Sequence, residues 1–242
     1  MNLIIDVGNS YVKLAVFKGD KILVNHRVKN AAVLKTLRKI RKDYKNINNA
    51  IVSTVGKLRK TDLIYLQKYY KTIFLDHKTK VPFVNKYSTP STLGIDRIAL
   101  VSASVKQFPD KNVLIIDAGS CITYDFITSK NHYLGGAISP GIQMRYKTLN
   151  YYTANLPLLE TSSPKKLIGN STTSAIHIGV VQGVLYEIEG AIQKYTLKYP
   201  DLTVILTGGD ANFLSKQLKS SIFANANFLL EGLQYILQIN SK

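Results

Sequence analysis

One pattern of eight residues occurs twice in this chain. Leu3-Ile4-Ile5-Asp6-Val7-Gly8-Asn9-Ser10 returns in register 111 positions later as Leu114-Ile115-Ile116-Asp117-Ala118-Gly119-Ser120-Cys121. In each copy an apolar strand ends on an aspartate, passes a small residue and a glycine, and enters small polar groups. A second alternating strand follows in both places. A single D-x-G is an ordinary turn, since Asp, Gly, Asn and Ser all favour turns. Two in register, each on a hairpin, indicate that the chain holds two versions of one unit. The 242 residues are enough for two modest domains. The repeat divides them at 1–110 and 111–242.

The segments between the repeats support an α/β architecture. "NLIIDV", "YVKLAVF" and "KILVNHRV" are joined by short Gly-containing links and read as a three-stranded antiparallel meander. A helix with a basic face is expected from Ala31 to Lys42, a strand over 49–55, a helix over 59–70 and a strand over 71–76. Residues 78–93 read as a polar loop, and "GIDRIALVSASVKQF" as a helix carrying Asp96 and Arg97 in its first turn. After the second repeat come helices over 141–154 and 173–198, the strand "LTVILTGG", a helix from Ala211 and a terminal helix "ANFLLEGLQYILQI". Such alternation implies partly parallel sheets flanked by helices.

Composition narrows the function classes. Hydrophobic residues make up 45% of the chain, sufficient for a sizeable core. Cys121 is the only cysteine, which excludes an intramolecular disulfide and a multi-cysteine zinc site. No uninterrupted apolar run approaches the ~18 residues of a membrane span, and no leader pattern opens the chain. The expectation is a soluble cytoplasmic protein with no membrane partner. The net charge of +17 attracts anions, nucleic acids and phosphorylated small molecules alike. The basic residues are scattered, and the densest stretch, Lys35 to Asn46, reads as a solvated helix face.

The repeated turns suit a nucleotide. Glycine lets backbone approach phosphate oxygens, and turn amides and small hydroxyls donate to them. A carboxylate beside phosphates is repulsive unless a cation intervenes, so Asp6 and Asp117 each imply a metal ion or an ordered water shell. Lys13 supplies positive charge where a phosphoryl group transfers. Asp96 has the chemistry to accept the hydroxyl proton released in such a transfer, and Arg97 that to fork onto a carboxylate. Alone, "DR" reads first as a surface ion pair at a helix start, where Asp is favoured anyway, and "LTGGDA" (206–211) equally as a strand-to-helix turn or a flat surface for adenosine.

In order, the motifs "DVGNSYVK" (6–13), "GIDR" (94–97), "DAGSCITYD" (117–125) with "GGAISPG" (135–141), "GNSTTSAI" (169–176) and "TGGDA" (207–211) resemble those of type III pantothenate kinase. That family lies within the superfamily of acetate and sugar kinases, heat-shock ATPases and actin. The resemblance implies a duplicated ribonuclease H-like (actin-like ATPase) fold, α/β, with a mixed, five-stranded type of sheet in each lobe. It implies ATP-dependent phosphorylation of pantothenate, the first step of coenzyme A synthesis. The first phosphate loop would be Asp6, Val7, Gly8, Asn9, Ser10, Tyr11, Val12 and Lys13, with Ser120 also contacting ATP. Pantothenate would be held by Tyr87, Gly94, Ile95, Asp96, Arg97 and Thr172, with Asp96 as general base. Asp117 would bind a monovalent cation (K⁺ or NH₄⁺), and Mg²⁺ would accompany ATP. A homodimer is implied. Serine stands at 10 and 120 where the family more often has threonine, and the hydroxyl is kept.

Two other readings compete: a kinase of the same superfamily acting on another small hydroxylated acceptor, and a basic nucleic-acid-binding regulator. The GIDR element and the short chain disfavour the first. The lack of clustered aromatic residues among the basic ones and of any nucleic-acid module disfavours the second, so no nucleic-acid partner is expected. His26, His77, His132 and His177 show no ligand spacing. Gly179 and Gly183, four apart on the expected long helix, permit close approach of another helix.

Overall fold

The two repeated strands are apolar on both faces and occupy the interior of their sheets, as fully buried strands do. The computed structural model describes residues 1–54 and 56–241, so Val55, the last residue of the strand expected over 49–55, lies outside the described residues. Along the chain run β1 (Asn2–Val7), β2 (Val12–Lys18), β3 (Lys21–Val28), α1 (Val33–Asp43), β4 (Asn49–Thr54), α2 (Lys60–Tyr69), β5 (Lys71–Phe74), β6 (Val84–Asn85) and α3 (Ile95–Gln107). They continue as β7 (Val113–Ala118), β8 (Cys121–Ile127), β9 (His132–Pro140), α4 (Ile142–Tyr151), α5 (Thr172–His177), α6 (Gly183–Lys198), β10 (Thr203–Thr207), α7 (Ala211–Ser215), β11 (Phe223–Ala224) and α8 (Phe228–Asn240).

Packing divides the chain into Met1–Pro109 with Asn131–Tyr133 and Asn227–Lys242, and Asp110–Lys130 with Leu134–Ala226. The boundary near 110 follows the repeat. The terminal helix, grouped with 111–242 on sequence order, packs in the first unit: a Cβ on Gly232 of α8 would lie 1.9 Å from the carbonyl oxygen of Ala99 in α3. Helices approach this closely only where a side chain is missing.

In the first unit the sheet order is β3-β2-β1-β4-β5. The meander β1-β2-β3 is antiparallel, and β4 joins β1 in parallel. Leu3, Ile5 and Val7 face a core completed by Val33, Leu37 and Ile40 of α1 and Leu66 of α2. In the second unit β7 pairs antiparallel with β8 and parallel with β10, and β11 extends the sheet beyond β10. Its core joins Leu114, Ile116 and Leu206 to Ile142, Val180, Val184 and Ile188. β1–β2–β4 and β7–β8–β10 thus have the same topology.

Two segments differ from expectation. The loop 78–93 contains the short strand β6, which pairs in parallel with His132 and Tyr133 and is too brief to show a period. The helix expected over 173–198 is wound as a π-turn over Ile178–Gln182. The extra residue of a π-turn lets Val180 and Val181 both reach the core. The run Thr172–Lys198 includes an 18-residue window of mean hydropathy 1.2, long and apolar enough to cross a bilayer. Its apolar side, from Ile176 to Ile192, is packed in the core of the second unit.

Candidate active site

In the first unit, Asp6 and Lys13 are cross-strand partners at the end of the β1–β2 hairpin, and Val7 pairs with Val12 to close it. The Gly8 amide donates to the carbonyl of Tyr11 at 3.1 Å, which shapes a turn presenting exposed Asn9 and Ser10. The Tyr11 ring lies 4.1 Å beneath the Arg27 guanidinium. Gly56, just past β4, backs this turn: its amide donates to the carbonyl of Val7 at 3.1 Å, and a Cβ there would lie 2.7 Å from the carbonyl oxygen of Gly8. Burial pushes the Asp6 carboxyl up to about 6; Lys13 opposes the rise and the charge of Asp96 adds to it. Asp6, Lys13 and Asp96 therefore share one electrostatic neighbourhood.

Asp96 sits in the first turn of α3, where its Oδ1 accepts from the Arg97 amide at 2.9 Å. Gly94 packs close beside it: a Cβ there would lie 2.5 Å from that oxygen and would push the carboxylate from its position. Arg97 is almost fully buried, its guanidinium carbon 5.6 Å from the centre of the Tyr87 ring. Tyr87 in turn stacks on buried Tyr133, with ring centres 6.1 Å apart. Folding has thus brought the Tyr87 ring to the Arg97 guanidinium, next in the chain to Asp96.

In the second unit Asp117 pairs with Thr123, and Ala118 with Ile122, so the turn is one residue shorter than the first. The Gly119 amide donates to the carbonyl of Cys121 at 2.9 Å, and Ser120 is exposed. Gly208 flanks this turn from the end of β10, directly after Thr207, which pairs with Asp117; by register the counterpart of Gly56 is Asp210. The φ of Gly208 is +98°, and a Cβ would lie 2.3 Å from the carbonyl oxygen of Ala118 and 2.4 Å from Asp117 Oδ1. Gly141 closes the turn from the side: its amide donates to the carbonyl of Ser120 at 3.1 Å. Asp210 follows, its amide bonded to the carbonyl of Ala118 and its carboxyl raised by burial. Thr172, also in this unit, is exposed at the start of α5 beneath a Ser171/Ser174 capping box.

Gly56 and Tyr133 were not singled out from the sequence. For Gly56 a signal existed: "IVSTVG" and "VILTGG" are both apolar strands that run through Thr into glycine, and they are the parallel neighbours of the two repeated strands. For Tyr133 none existed, because its role depends on β6.

Two units of one topology, each with an Asp-bearing hairpin turn backed by glycine, define the actin-like ATPase and sugar kinase fold class. A glucokinase from an Antarctic psychrotroph shares that fold, with a TM-score of 0.54 at 12% identity, covering 98% of both chains. Within this class the chain belongs to the type III pantothenate kinase family, whose model matches residues 2–194. A type III pantothenate kinase of Flavobacterium johnsoniae is 48% identical over 238 residues, 98% of either chain. The crystal structure of a conserved putative Baf family transcriptional activator from Campylobacter jejuni is similar over 99% of this chain and 98% of its own, with TM-score 0.66 and 25% identity. Family membership makes the chain a pantothenate kinase, with the ATP-dependent activity that name denotes in coenzyme A synthesis.

Proposed function

We propose that the chain carries out this transfer with Asp96 as the general base and Asp6–Lys13 and Ser120 as the nucleotide contacts. The observation that carries the reading is that Asp96, in the first turn of α3, acts electrostatically on Asp6, the cross-strand partner of Lys13 at the end of the β1–β2 hairpin. Asp96 accepts the proton of the pantothenate hydroxyl as its oxygen bonds to the γ-phosphorus and the bond to the ADP oxygen breaks, giving 4′-phosphopantothenate. Lys13 stabilises charge on the transferring group. Arg97 takes the carboxylate of pantothenate in a forked pair, with Tyr87 and Thr172 as further contacts.

The residues fit the expected cations. Among the described residues no three His, Cys, Asp or Glu side chains form a cluster. A divalent ion would be held largely by the ATP phosphates, as Mg²⁺ commonly is, with Asp6 as the carboxylate beside it. Mg²⁺ supplies charge neutralisation at the phosphates. Asp117, against which the Gly208 backbone packs with no room for a Cβ, is the carboxylate we assign to the monovalent ion, K⁺ or NH₄⁺.

The same reading takes the enzyme as a cytoplasmic homodimer joined through the exposed side of α6. Coupled measurement of ADP formation with and without pantothenate tests the activity, and Asp96→Asn tests the base. Pantothenate-independent ATP turnover, or full kcat in Asp96→Asn, would overturn the corresponding claim.

A further inference from the structure

Four side chains in the second unit form a charged network to which the reaction assigns no role. The Glu187 carboxylate of α6 accepts from the Tyr124 hydroxyl of β8 at 2.8 Å and from the Ser139 hydroxyl of β9 at 3.0 Å. It also pairs with the Arg145 guanidinium of α4. Arg145 Nη2 donates to Ser139 Oγ at 2.9 Å, and its Nε donates to the carbonyl of Pro140 at 2.9 Å. Both partners are partly withdrawn from water, with side chains 23% and 31% exposed.

Pro140 is the last residue of β9, and the next residue is Gly141. The Gly141 amide holds the carbonyl of Ser120 at 3.1 Å, and its carbonyl accepts from the Arg145 amide at 3.0 Å. A Cβ on Gly141 would lie 2.2 Å from the carbonyl oxygen of Gly119 and 2.6 Å from that of Ser120, so the corner and the turn are in direct backbone contact. We infer that Glu187 and Arg145 are positioning residues for the nucleotide: they lock the β9–α4 corner on which the Gly119–Ser120 turn rests. This rests on the reading that Ser120 contacts ATP.

The network has the geometry such a lock needs. Arg145 reaches the corner at two points, Ser139 Oγ and the Pro140 carbonyl, and Glu187 fixes the guanidinium plane from a separate helix. Charge-assisted bonds are shorter and more directional than neutral ones. Although partial burial opposes it, the bonds from Arg145, Tyr124 and Ser139 hold the Glu187 carboxyl below the usual range, so it stays an anionic acceptor at neutral pH.

The test is steady-state kinetics on the full-length enzyme with ATP and pantothenate varied separately, together with thermal melts. Glu187→Gln keeps the shape and removes the charge; Arg145→Lys keeps the charge and removes the second reach to Pro140. Both are expected to raise KM for ATP about tenfold, the scale of one charged hydrogen bond, with KM for pantothenate unchanged. A lowered melting temperature with unchanged KM for ATP, or an equal rise in both KM values, overturns the inference. Tyr124→Phe removes one donor to Glu187 and gives the reading if Glu187→Gln does not fold, with about a threefold rise in KM for ATP expected. Ser120→Ala separates the two levels. If it leaves KM for ATP unchanged, the nucleotide reading of this turn fails, and the inference with it. If it raises KM for ATP while Glu187→Gln does not, the inference alone fails.

Discussion

Asp6→Asn is expected to make the protein more stable and nearly inactive. In the folded chain the Asp6 carboxyl is raised from 3.8 to about 6 by burial and by Asp96, against the pull of Lys13. Each tenfold change in proton affinity is 1.36 kcal/mol, so ionised Asp6 costs the fold up to about 3 kcal/mol at neutral pH. The side chain keeps partial solvent access, which screens the interaction and brings the expected gain to about 1–2 kcal/mol. The folded state holds this proton more tightly than the unfolded chain does. Its contribution therefore favours folding below the unfolded value of 3.8 and is lost as pH rises towards about 6. Asparagine has no such proton, so the advantage of the variant should be full at pH 7.5 and close to zero near pH 4. Urea unfolding of both proteins without nucleotide, at those two pH values, measures it. A variant less stable than wild type at pH 7.5, or a difference that does not change with pH, would refute the reasoning. Turnover with Mg·ATP should fall by at least about 10²-fold, as for loss of an electrostatic group at a transferring charge.

Asp96→Asn should retain the fold and lose ~10²–10⁴ in kcat, the range for loss of a general base; a rise in KM alone would make it a positioning group. Replacing K⁺ with a bulky organic cation at fixed Mg²⁺ should abolish turnover, and equal rates in both buffers would remove the monovalent ion from the mechanism. Gly208→Ala forces a Cβ into a positive-φ position against the Ala118 carbonyl and Asp117, and should cost about 1–3 kcal/mol in chemical denaturation as well as activity. A Cβ on Gly183 meets nothing within 4 Å in one chain. Gly183→Leu should therefore leave the melting temperature of a single chain intact while light scattering shows the dimer weakened; undiminished association would place the interface elsewhere.

The parts of this fold that could be read in the sequence are those whose signal is local. Both hairpins were legible because alternation, Asp and Gly lie within one short window, and the Gly94–Arg97 element because the helix start follows it directly. What escaped depends on tertiary packing. α8 is apolar on most of its surface, with Phe228, Leu229, Leu230, Leu233, Ile236 and Leu237 all buried. Its sequence cannot say which sheet it covers; the contact of Gly232 with Ala99 decides that. Tyr87 could be placed in a polar loop, but its stacking on Tyr133 requires the two-residue pairing of β6 with β9. The π-turn before α6 arises because Val180 and Val181 both find room in the core, a property of the neighbours rather than of the helix.

Where the two repeats diverge, they suggest a division of labour. Opposite Asp6 stands Lys13, on a turn of four residues; opposite Asp117 stands Thr123, on a turn of three. The first hairpin thus carries both signs of charge, with Asp96 in the same field. That arrangement suits a place where charge develops and a proton must move, because opposed groups can rebalance as the transferring phosphate gains negative charge. The second hairpin has no lysine at the matching position, and the Gly208 backbone at the end of β10 packs directly against its carboxylate. That arrangement suits static compensation by a bound ion. In our reading the shared topology gives both units a place for phosphate oxygens, and the substitution of threonine for lysine assigns transfer to the first and anchoring to the second.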